Sequence, residues 1–132
     1  MNHLTFQTIK KDEIVDITDE IEEQLKQQGK ENGLCTLFVQ HTTCALTVMD
    51  LDPGTDLDFL DAIRGMLPKI SYRHPHNPSH TPDHILASII GTSVSIPYEH
   101  GKLSLGTWQR VVLVELDGPR NRTIIFLNTQ EK

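Results

Sequence analysis

From Ser93 onward the chain is a series of short apolar runs separated by turn residues, and this constrains the fold more than any other feature. The runs are Ser93 to Pro97, Leu103 to Leu105, Thr107 to Leu116 and Thr123 to Asn128. Between them fall Glu99-His100-Gly101-Lys102 and Asp117-Gly118-Pro119, residue types that favour tight turns. Successive side chains of a strand point to opposite sides. The longest run therefore places Gln109, Val111, Leu113, Glu115 and Asp117 on one face, and Trp108, Arg110, Val112, Val114 and Leu116 on the other. This part of the chain predicts hairpins.

Upstream, strands alternate with helices. Residues 4–9 predict a first strand. Ile17, Ile21 and Leu25 recur at helical spacing between Thr18-Asp19 and a glycine stop at Gly29. Leu34 to His41 predicts a strand with Cys35, Leu37, Val39 and His41 on one face, and Ala45 to Met49 another after the Thr42-Thr43 break. Thr55 is placed to cap a second helix whose stripe draws on Leu57, Leu60, Ile63, Arg64 and Leu67, and Pro68 ends it. Residues 69–81 form a loop rich in proline, histidine and asparagine. There Thr81-Pro82-Asp83-His84 reads as N-cap, N1, first-turn acid and N3 of a third helix, which stops at Gly91. The expectation is one α+β domain over residues 1–132, with about three helices and a mixed or antiparallel sheet.

The formal charge of -6 argues against nucleic acid as a partner, which needs a basic footprint. Cys35 and Cys44 lie in apolar strand sequence, so buried reduced thiols are expected rather than a disulfide framework. The N-terminus lacks a basic segment followed by an apolar one, and no apolar run reaches membrane-spanning length. A cytoplasmic protein without a membrane partner is expected.

Four of the seven histidines, His74, His76, His80 and His84, fall within eleven residues, and His41 ends an apolar strand face. Neutral imidazole is the commonest ligand for zinc-like metals and the usual acid or base near neutral pH. A polar, metal-binding site is therefore expected, with solvated loop histidines as the plain alternative. At N3, His84 would sit near the positive end of a helix dipole, which disfavours the imidazolium. His80 precedes the cap, so His80 and His84 are not a helix-face ligand pair. His41 points either into a site mouth or into the core. A buried Glu115 would need a metal, a histidine or an arginine as partner. Arg120 and Arg122 either hold a phosphate bidentately or decorate a solvated hairpin tip. No glycine-rich phosphate loop, Gly-x-Ser-x-Gly elbow or helix-activated cysteine is present.

Several of these residues stand in runs that carry a resemblance. Val39-Gln40-His41-Thr42-Thr43, Asp52-Pro53, Tyr72-Arg73-His74, Pro82-Asp83-His84-Ile85, Ile89-Ile90-Gly91-Thr92-Ser93, Ile96-Pro97, Gly106-Thr107-Trp108-Gln109 and Glu115-Leu116-Asp117-Gly118-Pro119-Arg120 together resemble the YjbQ-like family. Its members are often described as secondary thiamine-phosphate synthases, and the likeness covers nearly the whole chain. It implies a compact α+β domain that assembles as a homotrimer, with a polar pocket whose ligands would be His41, His74 and His84. It further implies catalytic roles for His41, His84, Glu115 and Arg120, and substrate contacts from Thr42, Thr43, Trp108, Gln109, Arg120 and Arg122. His76, His80 and His100 are not required by the motif. The chain departs from it at Met49-Asp50-Leu51, where Asp50 keeps an acid without an assigned role, and at Cys44, where a small residue is usual.

The implied reaction joins a hydroxymethylpyrimidine pyrophosphate to a thiazole phosphate and releases pyrophosphate. Such a step needs the leaving pyrophosphate held by cationic groups, with the thiazole nitrogen close to its target. Three histidines suit a divalent, zinc-like ion, whereas pyrophosphate chemistry usually runs on magnesium and oxygen ligands. Two alternatives follow: a zinc-type hydrolase of a phosphorylated or other small substrate, and a non-catalytic protein that binds a metal or small molecule.

Overall fold

The computed structural model describes residues 2–29 and 31–131. Its central element is the strand β7, Gln109–Glu115, whose last five residues are all buried. Strands covered on both faces lose the apolar–polar alternation of a half-solvated strand. Here Val111 and Leu113 join one core, and Val112 and Val114 join another.

β7 lies between β2 (Glu13–Asp16) and β4 (Cys44–Asp50), both antiparallel to it. Facing this three-stranded sheet is a five-stranded one. Its order is β1 (Asn2–Gln7), β8 (Asn121–Gln130), β3 (Asn32–Val39), β5 (Ser93–Glu99) and β6 (Lys102–Leu103), and every pairing is antiparallel. The first core lies between the sheets. There Cys35, Leu37, Val39, Ile124 and Phe126 meet Leu46, Val111 and Leu113, joined by Ile17, Ile21 and Leu25 beside and within helix α1 (Thr18–Gln27). The second core lies on the other side of β7, under α2 (Thr55–Met66) and α3 (Thr81–Ile90), where Leu60, Ile63, Leu86 and Ala87 cover Val112, Val114 and Leu116.

The α+β class and the three α-helices agree with the sequence, as does a hairpin across Glu99–Lys102, where β5 pairs with β6. β7 and β8, expected as a hairpin across Asp117-Gly118-Pro119, instead enter different sheets and do not pair. Strands fall into two antiparallel sheets rather than one. The first strand begins two residues earlier than its apolar pattern predicts, and β2 is a short strand the sequence did not reveal. Gly54 rather than Thr55 occupies the N-cap of α2, with φ 92°, a conformation that suits glycine. Thr81 begins α3 as its first helical residue after His80, with no side-chain cap. His84 thus stands one position deeper than N3, further from the helix end. Both cysteines are free and buried, and burial pushes Cys35 up to about 12 and Cys44 to about 11, which removes them as nucleophiles.

Candidate active-site cleft

Where β3 leaves the five-stranded sheet and β4 enters the three-stranded one, Gln40-His41-Thr42-Thr43 bridges the two layers. This bridge forms one wall of a cleft of about 510 Å³. The opposite wall is the loop and first turn leading into α3, with His74, His80 and His84. The turn between β7 and β8 supplies Asp117 and Arg120, and Arg122 rises from the start of β8. His74 and His84 stack, with ring centroids 5.1 Å apart and planes 16° apart. His76 lies 6.4 Å from His74, edge to face, and is not part of the cleft lining.

Below the cleft lies a buried ion pair. The Glu115 carboxylate is fully enclosed and accepts from both Nε and Nη2 of Arg122, the former at 2.8 Å. It also accepts from the Thr8 hydroxyl at 2.7 Å and from the backbone N–H groups of Leu116 and Asp117 at 3.0 and 3.1 Å. Five donors fill the roughly four lone-pair sites of a carboxylate from which water is excluded. Burial alone would raise the Glu115 carboxyl. The Arg122 and Thr8 hydrogen bonds and the Asp117 N–H reverse this and hold it below its ordinary value. Arg122 also donates from Nη2 to the Thr43 hydroxyl and carbonyl at 2.8 and 3.1 Å, which ties the bridge to β8. Arg120 differs. It is half-exposed and bound to Asp117 through Nη2 (2.9 Å) and Nε (2.7 Å to the carbonyl).

The β7–β8 turn is locked against the segment after β1. A side chain on Gly118 would place its Cβ 2.2 Å from the Lys10 carbonyl oxygen, so only glycine permits the approach. Thr8, fully buried, accepts from the Arg120 N–H at 2.9 Å.

At His41, Nε2 accepts the backbone N–H of Thr123 at 3.0 Å. Burial and the charges of Arg122 and Arg120 lower its pKa, against a smaller opposing effect of Glu115, so the ring is held neutral. A neutral ring that accepts at Nε2 carries its proton on Nδ1.

This geometry bears directly on the zinc-like ion expected from the histidines. The Nε2 lone pair of His41 is spent on Thr123, and the near-parallel rings of His74 and His84 do not aim their in-plane lone pairs at one point about 2 Å away. Among the described residues no three His, Cys, Asp or Glu side chains gather closely enough to hold one ion. As arranged, these residues do not fit a metal shell.

The structure thus brings His41, Thr42, Thr43, His74, His84, Arg120 and Arg122 to one cleft, with Glu115 beneath it. Trp108 and Gln109 are not there. Trp108 is 71% exposed at the other end of β7, beside a separate hollow lined by Asp16, Asp50, Asp52 and Arg110. Seven residues of strand separate it from Glu115, roughly 20 Å. Gln109 accepts the Gly106 N–H at 2.7 Å and closes a turn. Asp50 accepts the Asp52 N–H at 2.8 Å and shapes the approach to α2. Conversely, His80 and Asp117 line the cleft although the sequence motif gave them no role. The spacing of His80 from His84 was the only signal for the first, and the turn that carries Arg120 for the second.

Fold and site define a class: a two-sheet α+β domain with an open polar cleft of histidines and arginines at one end of the sandwich. The chain belongs to the family described as UPF0047 protein YjbQ-like, whose model matches residues 2–131. It is 39% identical to a UPF0047 protein of Archaeoglobus fulgidus over 92% of this chain and 95% of the other. It is 36% identical to the UPF0047 protein YugU of Bacillus subtilis, over 91% and 92%. Among solved structures it is similar to a YbjQ-like protein of unknown function from Sulfolobus solfataricus, with a TM-score of 0.90 at 35% identity over 98% and 96% of the two chains. None of the helices described is long and apolar enough to cross a membrane.

Proposed function

We propose that the chain is a cytoplasmic enzyme acting on small phosphorylated substrates in the His41–His84 cleft. Thiamine-phosphate formation is the reaction to test first. The observation that carries this reading is the meeting, in one cleft, of a histidine held neutral, a stacked histidine pair and two arginines. In the proposed transfer, the thiazole nitrogen forms a bond to the exocyclic methylene carbon of the pyrimidine. The bond from that carbon to pyrophosphate oxygen breaks, and pyrophosphate leaves with the electron pair. Arg120 and Arg122 serve as donors to the leaving group, Thr42 and Thr43 shape its seat, and His84 supplies a proton at the mouth. Glu115 acts only through Arg122, as a positioning residue. The same reading includes a homotrimer, supported by an uncovered apolar sheet face described below.

The test is mass-spectrometric detection of thiamine phosphate from the two phosphorylated precursors. We expect slow product formation, lost in His84→Ala and weakened in Arg120→Ala, with both variants folded. Absence of product above background, or full activity in His84→Ala, overturns the assignment. Phosphate or pyrophosphate released from either precursor alone would mark a hydrolase instead.

A further inference from the structure

We propose that the floor of this cleft is a metal-free oxyanion subsite, in which Arg122 Nη1 and the Nδ1–H of His41 bind a phosphoryl group. The proposal rests on the reading of the cleft as a site for phosphorylated substrates and names the groups that recognise the phosphate.

Arg122 presents five N–H donors in a rigid fork. Its Nε and Nη2 are taken up by Glu115 and Thr43. Nη1 has no protein partner among the described residues, and it is not among the enclosed polar atoms left unsatisfied. Arg122 is 2% exposed, yet it lines the cleft. The nitrogen left to meet the cleft is therefore Nη1, with two donors unspent. A guanidinium that served only to neutralise Glu115 would have no need to border the cleft. Its fixed geometry matters, because a preorganised donor loses little side-chain freedom when an anion arrives.

His41 adds a second donor. Thr123 N–H occupies Nε2, so what the ring offers any ligand is a proton at Nδ1 rather than a lone pair. The depressed pKa agrees with a neutral ring. Thr42, an exposed residue, stands next in the bridge and lines the cleft. Competition from Asp117, the carboxylate that lines the cleft, is limited, because it is bound by Arg120 at 2.9 Å and Lys11 lies 4.0 Å away. The two arginines and two carboxylates here balance in formal charge. Recognition must then come from directed hydrogen bonds rather than from net positive potential, which favours the tetrahedral, many-acceptor phosphoryl group. The same donor set disfavours a zinc-like ion, which needs the lone pair that Thr123 already holds.

The experiment uses the full chain, treated with a chelator and desalted, with inorganic pyrophosphate as the probe. Calorimetry should show binding that survives chelation and does not change when zinc is returned. Arg122→Lys keeps the charge but loses the fork, and should weaken binding about tenfold, as expected for loss of a charged hydrogen bond. Long-range proton–nitrogen NMR of the wild type, which needs no variant, should show His41 as the Nδ1–H tautomer, with its shift perturbed by pyrophosphate. Binding that vanishes on chelation and returns with zinc overturns the proposal. So does an Nε2–H pattern at His41, or a folded Arg122→Lys with unaltered affinity. Pyrophosphate binding without turnover sinks only the enzymatic reading. Turnover with pyrophosphate binding that depends on metal sinks only this one.

Discussion

At the scale of single residues, two ionisable groups, one in the wall of the cleft and one beneath it, tie its integrity to pH, and they do so in separate windows. His41 has a folded pKa below its ordinary 6.5, because burial and two arginines disfavour the imidazolium. The unfolded chain then binds a proton that the native state refuses, so stability falls as pH drops below about 6.5 toward the folded value. Glu115 is also depressed, below its ordinary 4.5, and its contribution is present above that value and lost as pH falls through the folded one. Urea midpoints measured from pH 8 to about pH 2 should decline in two limbs, the lower one beginning only below about 4.5, and His41→Gln should remove the upper one. A midpoint that stays flat between pH 7 and pH 5 in the wild type would contradict the assignment of a neutral, half-buried ring. Of these residues the sequence revealed the need of Glu115 for a partner, since a carboxylate on an apolar strand face is costly. It left metal, histidine and arginine open. The choice of Arg122 depends on how the chain crosses from β7 into the facing sheet at the start of β8, which no local pattern states.

At the scale of elements, the cleft depends on how α3 is fixed. Asp83, almost wholly buried in the first turn of α3, accepts from Lys11 Nζ at 2.9 Å and Arg64 Nη1 at 2.6 Å. Arg64, on α2, also grips Asp12 at 3.0 and 2.6 Å and the Leu116 carbonyl at 3.0 Å. One network thus joins α2, α3, the approach to β2 and the end of β7, and it sets His84 opposite His41. Asp83→Ala leaves Arg64 partly unpaired and should cost about 3 kcal/mol, as when one partner of a buried ion pair is removed. Amide exchange should accelerate through residues 83–90 while β3 and β8 stay protected. Uniform exchange, or a loss under about 1 kcal/mol, the value of an exposed pair, would show that α3 is held by Leu86 and Ala87 alone. The helices themselves were legible, because their apolar spacing and the stops at Gly91 and Pro68 are local. Their exact starts were not. Thr55 and Thr81 have the chemistry of N-caps, but the αL conformation at Gly54 and the 3₁₀ turn over Pro78–His80 each begin the helix one residue earlier. Trp108 was misplaced for a different reason: a motif gathers residues along the chain, whereas β7 carries its two ends to opposite ends of the sandwich.

At the scale of the whole molecule, the outer side of the five-stranded sheet stands out by what it lacks. At the middle of that side stand Leu34, Thr36 and Phe38 on β3, Ile125 and Leu127 on β8, and Ser93, Ser95 and Pro97 on β5, none of them charged, and charge returns at the β5–β6 edge with Glu99 and Lys102. Leu34, Phe38 and Leu127 are each more than 40% exposed, and among the described residues none of the three belongs to the apolar clusters under the helices. In a chain with 23% charged residues and a net charge of -6, such a face is where two like-charged copies approach at least electrostatic cost. Its strands end at the Gln40–Thr43 bridge and at Arg122, so a neighbour seated on it would border the mouth of the cleft. A closed ring satisfies that face on every copy, which favours the proposed trimer over an open chain of subunits. Light scattering at micromolar concentration should report three times the mass of the chain. Phe38→Asp places a charge at the centre of the face without disturbing the core, and should yield a folded monomer whose intrinsic stability changes by no more than about 0.5 kcal/mol, as for other surface substitutions. A wild type that is monomeric under these conditions, or a Phe38→Asp protein that keeps its assembly, would locate any interface elsewhere and leave the apolar face without this role.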